Sequence, residues 1–201
     1  MEWLKYRKEF YYEKWKCYKS DLENKYVFWD IDGTLAPYRF NDHVADPDGT
    51  NNGMSLKEIG EHIFLTRKPS QQMVNVVYSC GARRNLIMGH CQVQQEMDDK
   101  QIWLDEHFPI IKREDRILTF ENIPKADSII EYCVGHGIDL KDVVYVDDVV
   151  TFLREAERKG IKSYHISSFL DWDYPDDYFS LKDTDQRLLE PMDIAFAIHN
   201  G

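Results

Sequence analysis

Two aspartates that could take part in catalysis or metal binding, Asp30 and Asp32, directly follow the apolar run Tyr26–Trp29 and are separated by a single residue. In an extended segment, side chains at i and i+2 point the same way, so these carboxylates should converge at the end of a buried strand. Two carboxylates that close repel each other unless a cation or a shared proton compensates. Mg²⁺ is the usual solution, because this hard ion takes carboxylate oxygens together with the phosphate of a substrate. The spacing therefore predicts a magnesium site suited to phosphoryl chemistry.

A second apolar run, Val143–Val146, ends in the adjacent carboxylates Asp147 and Asp148 and repeats this pattern. Ligands of parallel sheets bind beyond the carboxyl ends of the strands, where both acidic pairs fall. We therefore expect the two pairs to belong to one site.

The elements that must position these residues are short apolar runs alternating with helical patterns. This pattern predicts an α/β fold, a doubly wound, Rossmann-like parallel sheet with helices on both faces. Glycines at helix C-termini support the assignment. The predicted strands cover 26–29, 85–88, 116–120, 143–146 and 162–166, the predicted helices 69–80, 92–107, 125–136 and 149–159, and the helix-ending glycines are Gly81, Gly137 and Gly160.

These motifs resemble the haloacid dehalogenase-like (HAD) superfamily, whose first motif is Asp-x-Asp-Gly-Thr after an apolar strand. Here that motif is Asp30-Ile-Asp32-Gly33-Thr34, and the resemblance extends over residues 24–170. Lys125, at the start of a predicted helix, stands where the third motif places a lysine, whose ammonium group would neutralise the phosphate and the carboxylate that attacks it. Asp147 and Asp148, with the helix and strand predicted after them, look like the fourth motif.

The resemblance implies a mechanism for these residues. Asp30 would attack phosphorus and form an aspartyl-phosphate, while Asp32 would protonate the leaving group and then activate water. Dehalogenase members lack that second carboxylate, so phosphoryl chemistry is favoured. Mg²⁺ would be the cofactor, held by Asp30, the backbone carbonyl of Asp32, Asp147 and Asp148, and we expect the Thr34 hydroxyl to help bind the phosphate.

The second motif departs from the family pattern, which ends the second strand in Ser or Thr. The segment that best fits the strand order ends in Gly89 and His90, and neither carries a hydroxyl. The Gly89 amide or the His90 side chain would then hold the phosphate. The alternative is Thr66, which closes Ile63-Phe-Leu-Thr and would require an additional strand and helix. We prefer Gly89.

One domain accounts for residues 1–201, with two additions. Residues 1–23 have the pattern of a helix packed on the domain, or alternatively of a dimerisation helix that would make the protein a homodimer. The turn-rich segment 36–64 is long for a compact domain, so we predict a small lid over the site.

The amino-acid composition argues against several kinds of partner and location. The formal net charge is −11 over 201 residues, which argues against nucleic acid or an anionic membrane surface as a partner. No apolar run approaches the length of a membrane span. The four cysteines are widely spaced and form no Cys-x-x-Cys pair, which favours reduced thiols and a cytoplasmic location.

The sequence thus predicts a Mg²⁺-dependent phosphomonoester hydrolase acting on a small phosphorylated metabolite or nucleotide. One alternative is a catalytically impaired HAD domain that binds a phosphorylated ligand or a protein partner, because the second-motif hydroxyl is missing. Another is phosphoryl transfer to a sugar or to a nucleic-acid end, which the acidic charge disfavours for nucleic acid.

Overall fold

The structure is a computed structural model, which describes residues 19–37, 62–120 and 122–169, apart from the side chain of Ile63. The strands are β1 (Tyr26–Trp29), β2 (Arg84–Cys91), β3 (Arg116–Phe120), β4 (Val143–Asp147) and β5 (Lys162–His165). The helices are α1 (Gln71–Ser79), α2 (Gln94–His107), α3 (Lys125–His136) and α4 (Val150–Arg158). Short 3-10 turns cover Ile63–Thr66, Arg113–Asp115, Leu140–Asp142 and Ile166–Phe169. No helix of the described segments has the length and apolar character needed to cross a bilayer.

The five strands form one parallel sheet in the order β3-β2-β1-β4-β5. The chain moves outward from β1 to β2 and β3, then returns to the opposite side of β1 with β4 and β5. The order therefore reverses between β1 and β4, and such a switch point opens a crevice at the carboxyl ends of the strands. This architecture confirms the predicted doubly wound α/β fold.

Each face of the sheet carries its own apolar core, because successive strand residues point to opposite faces. On one face Trp29 and Ile87 pack with residues of α1 and α2. On the other face Phe28 and Tyr145 pack with residues of α3 and α4. The strands are apolar on both faces for this reason, as expected of a parallel sheet covered by helices.

Local signals position the helices near their predicted bounds. The Ser70 side chain accepts a hydrogen bond from the backbone N–H of Met73 and caps the start of α1. Gly137 ends α3 with φ of 65°, a left-handed conformation that glycine adopts without steric penalty.

Two expectations about the second strand are decided here. The predicted strand 85–88 would have put Gly89 just after its end. Strand β2 instead continues to Cys91, so Gly89 lies inside the strand. Thr66 lies in a 3-10 turn, so the additional strand needed by the alternative second motif is not formed there. The strand beside β1 is therefore the one that contains Gly89 and His90.

Parts of two predicted additions lie outside the described residues. Residues 19–22 of the predicted helix 1–23 are helical. Residues 38–61 of the predicted lid are not described, whereas the turn that follows packs on α2, where the rings of Phe64 and Trp103 lie 5.3 Å apart. The indole N–H of Trp103 donates to the Arg67 carbonyl over 2.8 Å, which fixes the chain as it enters α1.

Candidate functional site

Three side chains from separate elements meet at the crevice between β1 and β4. Asp30 follows β1, Asp147 ends β4, and Lys125 begins α3. Lys125 Nζ lies 2.5 Å from Asp30 Oδ1 and 2.9 Å from Asp147 Oδ2. The three side chains are 5%, 3% and 0% exposed, in the order Lys125, Asp30 and Asp147. The structure therefore brings together the proposed nucleophile, a predicted metal ligand and the predicted lysine.

A third carboxylate completes this acidic group. One oxygen each from Asp30, Asp147 and Asp148 lie within 4.8 Å of one another. Asp148 can lie this close to the first motif because Gly33 has no side chain: a Cβ there would lie 2.0 Å from Asp148 Oδ2. Gly33 also has φ of 76°, which favours glycine. An octahedral Mg²⁺ joins oxygens that lie about 3–4 Å apart, so small side-chain rotations would bring the three within reach of one ion.

The electrostatics of this group favour a bound cation. Burial, and then repulsion from Asp147, raise the pKa of Asp30 well above its usual range, although Lys125 opposes the shift. The same two causes raise the pKa of Asp148 to about 7. Burial acts to lower the pKa of Lys125, but attraction to Asp30 and Asp147 outweighs it and raises the pKa. One ammonium group thus faces three carboxylates, a surplus of negative charge that a divalent cation would offset.

A polar atom without a partner supports the same interpretation. Asp148 Oδ1 is buried and has no hydrogen-bond partner within the described part of the chain. Buried polar atoms are nearly always hydrogen-bonded, so an unpaired carboxylate oxygen at this position indicates a ligand atom for an ion. The residues present therefore fit Mg²⁺.

Two groups that the sequence analysis did not identify orient Asp147. The buried Tyr145 hydroxyl donates to Asp147 Oδ2, and the backbone N–H of Val149 donates to Oδ1 over 2.7 Å. Tyr145 stands two residues before Asp147 in β4, so the alternation of side chains along a strand would have placed both on the same face. That signal was present in the sequence.

The Asp32 carboxylate has cationic partners of its own, although its charge still contributes to the raised pKa of Asp30. Strand β1 ends at Trp29, and residues 31–35 turn, so the i, i+2 alternation of an extended chain no longer holds at Asp32. Its carboxylate instead lies 2.5 Å from Lys100 Nζ through Oδ2, and Oδ1 lies 3.6 Å from Arg67 NH1. A role of its backbone carbonyl in metal binding stays a prediction.

Lys100 is a further functional candidate that the sequence analysis did not identify. It lies on α2 with Glu96 and Asp99, and all three are buried although they are charged. They share the helix face of Trp103 and Leu104, which are also buried. The sequence did contain a signal for this arrangement, since these charged residues continue an apolar stripe at helical spacing. Spacing alone, however, does not show that a helix buries its charged residues.

The three predicted phosphate-binding residues occupy different environments. Gly89 is buried, and a Cβ there would lie 3.0 Å from Ile31 and 3.1 Å from Leu118, so the strand has no room for a larger side chain at this position without adjustment. The Thr34 hydroxyl is buried and has no hydrogen-bond partner among the described residues.

His90 lies on the same sheet face as Lys125. Burial, and then repulsion from Lys125, lower the pKa of His90. Its Nε2 lies 2.7 Å from the Ile123 carbonyl, so a neutral ring donates its single N–H there. Phosphate contacts from His90, Gly89 and Thr34 stay predictions.

No protein-family model and no curated protein matches the sequence, whereas several solved structures are similar to this chain. The chain is similar to a haloacid dehalogenase-like family hydrolase from Streptococcus pneumoniae, with 14% identity over 78% of this chain and 93% of that one and a TM-score of 0.49. It is also similar to the N-terminal part of a Bacteroides fragilis protein that contains a phosphatase domain complexed with Mg, with 18% identity over 78% of this chain and 41% of that one and a TM-score of 0.44. A third similar structure is 3-deoxy-D-manno-octulosonate 8-phosphate phosphatase from Moraxella catarrhalis with magnesium and phosphate ions and KDO, with 16% identity over 71% of this chain and 66% of that one and a TM-score of 0.35. The first is named for the superfamily that the motifs resemble, and the other two are named for phosphatase activity.

Proposed function

We propose that this chain is a Mg²⁺-dependent phosphomonoester hydrolase that acts through an aspartyl-phosphate at Asp30. The observation that carries the proposal is the group of buried Asp30, Lys125 and Asp147 with half-buried Asp148 at the switch point of the sheet. A nucleophilic carboxylate, an ammonium group and two further carboxylates are a set suited to phosphate. We propose a small phosphorylated metabolite or nucleotide as the substrate.

The first half of the reaction makes Asp30 the nucleophile. Its carboxylate oxygen attacks phosphorus, the ester P–O bond breaks, and the leaving alkoxide takes a proton from Asp32. Lys125 contacts Asp30 and Asp147 in the structure, so its charge would lower the repulsion between the attacking carboxylate and the phosphate dianion.

The second half regenerates Asp30. Asp32, now ionised, takes a proton from water, the resulting hydroxide oxygen bonds to phosphorus, and the acyl-phosphate P–O bond breaks to release inorganic phosphate. General acid and base work of this kind typically contributes about 10²–10⁴-fold. The same carboxyl group thus serves both half-reactions, and no net proton remains on the protein.

Mg²⁺ would be held by the carboxylates of Asp30, Asp147 and Asp148, with the backbone carbonyl of Asp32 as a further ligand. When bound, the ion would neutralise charge on the phosphate oxygens and on the carboxylates around it. Tyr145 and the Val149 amide keep Asp147 in a fixed orientation, which preorganises one ligand before the ion arrives.

The experiment measures phosphate release from a panel of phosphomonoesters, including nucleoside monophosphates, with Mg²⁺ and with EDTA. Asp30→Asn removes the nucleophile with little change of shape. Asp127→Asn is the matched control, since Asp127 lies on α3 near Lys125 but its side chain is 54% exposed. We expect Mg²⁺-dependent release that Asp30→Asn abolishes and Asp127→Asn preserves. Release that survives Asp30→Asn would refute the mechanism.

One observation favours a second candidate, a catalytically impaired domain that binds a phosphorylated ligand. Strand β2 supplies no hydroxyl at Gly89, and its packing against Ile31 and Leu118 leaves little space for one. Calorimetric titration with Mg²⁺ and then with inorganic phosphate separates the candidates. Binding of both without turnover of any panel member would favour the impaired domain, whereas turnover would exclude it.

A further inference from the structure

Lys100 is a fully buried lysine whose ammonium group is saturated by three acceptors. Its Nζ lies 2.5 Å from Asp32 Oδ2, 2.5 Å from the His90 carbonyl oxygen and 2.6 Å from Glu96 Oε1. An ammonium group has three donors, so none is left over. Lys100 thereby ties three places together: the turn after β1, the end of β2 and the first turn of α2.

Asp32 is the member of this network that reaches the surface of the site. Its side chain is 23% exposed, against 0% for Lys100 and 6% for Glu96. Removing an ammonium group from water is expensive unless its partners are well placed, so this buried ion pair fixes its members rigidly. The rigidity is passed to Asp32, which is the more exposed of the two carboxylates that Lys100 holds.

The two oxygens of Asp32 have different surroundings. Oδ2 accepts the charge-assisted hydrogen bond from Lys100, whereas Oδ1 lies 3.6 Å from Arg67 NH1, beyond ordinary hydrogen-bond distance. A proton shared with a leaving group or with water therefore belongs on Oδ1. A free carboxylate on a turn would instead sample several rotamers and offer either oxygen.

We propose that Lys100, supported by Glu96, is a positioning residue that sets Asp32 for proton transfer. The proposal rests on the phosphomonoesterase function proposed above. Lys100 touches no reacting atom: it holds Oδ2 so that Oδ1 carries the exchanged proton in one orientation. In the step it serves, the proton leaves Asp32 Oδ1 for the alkoxide oxygen as the P–O bond breaks.

A merely structural role for Lys100, joining α2 to the sheet, predicts a different kinetic result. An alkyl phosphate needs its leaving oxygen protonated, whereas p-nitrophenyl phosphate releases a stable phenolate that needs little help. A loss of Asp32 positioning should therefore be selective for the alkyl ester. A general disturbance of the fold should affect both esters alike.

The test compares kcat/KM on an alkyl phosphate and on p-nitrophenyl phosphate, because this constant reports the steps up to release of the leaving group. The variants are Lys100→Met, Asp32→Asn and the two combined. Lys100→Met leaves the buried Glu96 without its cation, so Glu96→Gln with Lys100→Met is a second variant in which that carboxylate is neutralised. Thermal unfolding checks that each variant is folded.

We expect Lys100→Met to lower kcat/KM about 10-fold or more on the alkyl ester and about 3-fold or less on the aryl ester, a part of the 10²–10⁴-fold span of general acid catalysis. In the Asp32→Asn background the same change should have no further effect. The variant that also carries Glu96→Gln should behave as Lys100→Met does.

Three results would overturn the proposal. They are an equal loss on both esters, a further loss in the Asp32→Asn background, and failure of both Lys100 variants to fold, which would assign Lys100 to the stability of α2 against the sheet. Wild-type protein without turnover on either ester would instead refute the proposed function itself, and this inference with it.

Discussion

The carboxylate of Asp148 should destabilise the metal-free protein at neutral and alkaline pH. It is half-buried beside Asp147, and its buried Oδ1 lacks a hydrogen-bond partner within the described residues. Asp148→Asn keeps the shape and removes the charge. We therefore expect the variant to be more stable than the wild type in EDTA at pH 8, although it loses a proposed metal ligand.

The magnitude follows from the pKa of Asp148, which rises from an ordinary 3.8 to about 7. A difference of about three pH units corresponds to about 4 kcal/mol at 1.36 kcal/mol each. Partial exposure of the side chain and solvent screening reduce this to about 2 kcal/mol. The pKa of Asp148 is higher in the folded protein than in the unfolded chain, so folding is favoured while Asp148 is protonated. This contribution to the stability of the wild type is complete below about pH 4 and is lost as the pH rises through about 7.

Thermal and urea unfolding of both proteins in EDTA at pH 5 and pH 8 would measure this effect. At pH 8 we expect Asp148→Asn to gain about 2 kcal/mol, or about 4–8 °C in Tm for a chain of this size, and to gain less at pH 5. Saturating Mg²⁺ should reverse the order, since only the wild type keeps all three carboxylates for the ion. A variant that is no more stable than the wild type at pH 8 in EDTA would refute the reasoning.

Three further predictions concern the other members of the site and its support. Lys125→Met leaves two buried carboxylates without a cation and should lower the free energy of unfolding by about 3–5 kcal/mol in EDTA, with partial recovery in Mg²⁺; an unchanged urea midpoint would contradict it. Gly33→Ala places a methyl group 2.0 Å from Asp148 Oδ2, so Mg²⁺ should bind at least about 10-fold more weakly by calorimetry, a difference of about 1.4 kcal/mol, and an unaltered Kd would be inconsistent with the proposed ligand. Phe64→Ala removes a ring that is 1% exposed and should cost about 3–5 kcal/mol in chemical denaturation, whereas Leu65→Ala, at a side chain 36% exposed, should change stability by less than about 1 kcal/mol. Equal effects of the last two would argue against packing of this turn on α2.

Local chemistry made much of this fold predictable from the sequence. The apolar runs that end at Trp29 and at Val146 are followed by paired carboxylates, and the structure places both at neighbouring strand ends. Lys125 begins α3, as the helix predicted over residues 125–136 indicated. A strand buried on both faces, a helix start and a glycine turn are each encoded within a few consecutive residues, so the sequence is sufficient to find them.

The partners of the polar groups were decided by tertiary structure. Asp32 turned to Lys100 because β1 ends before the first motif is complete and because α2 packs against that end of the sheet. Gly89 lies inside its strand because pairing with β3 extends β2 to Cys91. Periodicity shows that a helix has a buried stripe but not which distant carboxylate a lysine on that stripe will meet.

The sequence by itself therefore determined the fold class, the order of the elements and the acidic residues that could hold a cation. Tertiary structure alone decided that Asp30, Asp147 and Asp148 form one group, that Lys125 joins two of them, and that Asp32 pairs with Lys100. The physical reason is the separation along the chain of the residues that interact. Strand and helix patterns follow from neighbours along the chain, whereas the pairing of buried charges depends on which elements the apolar cores bring together.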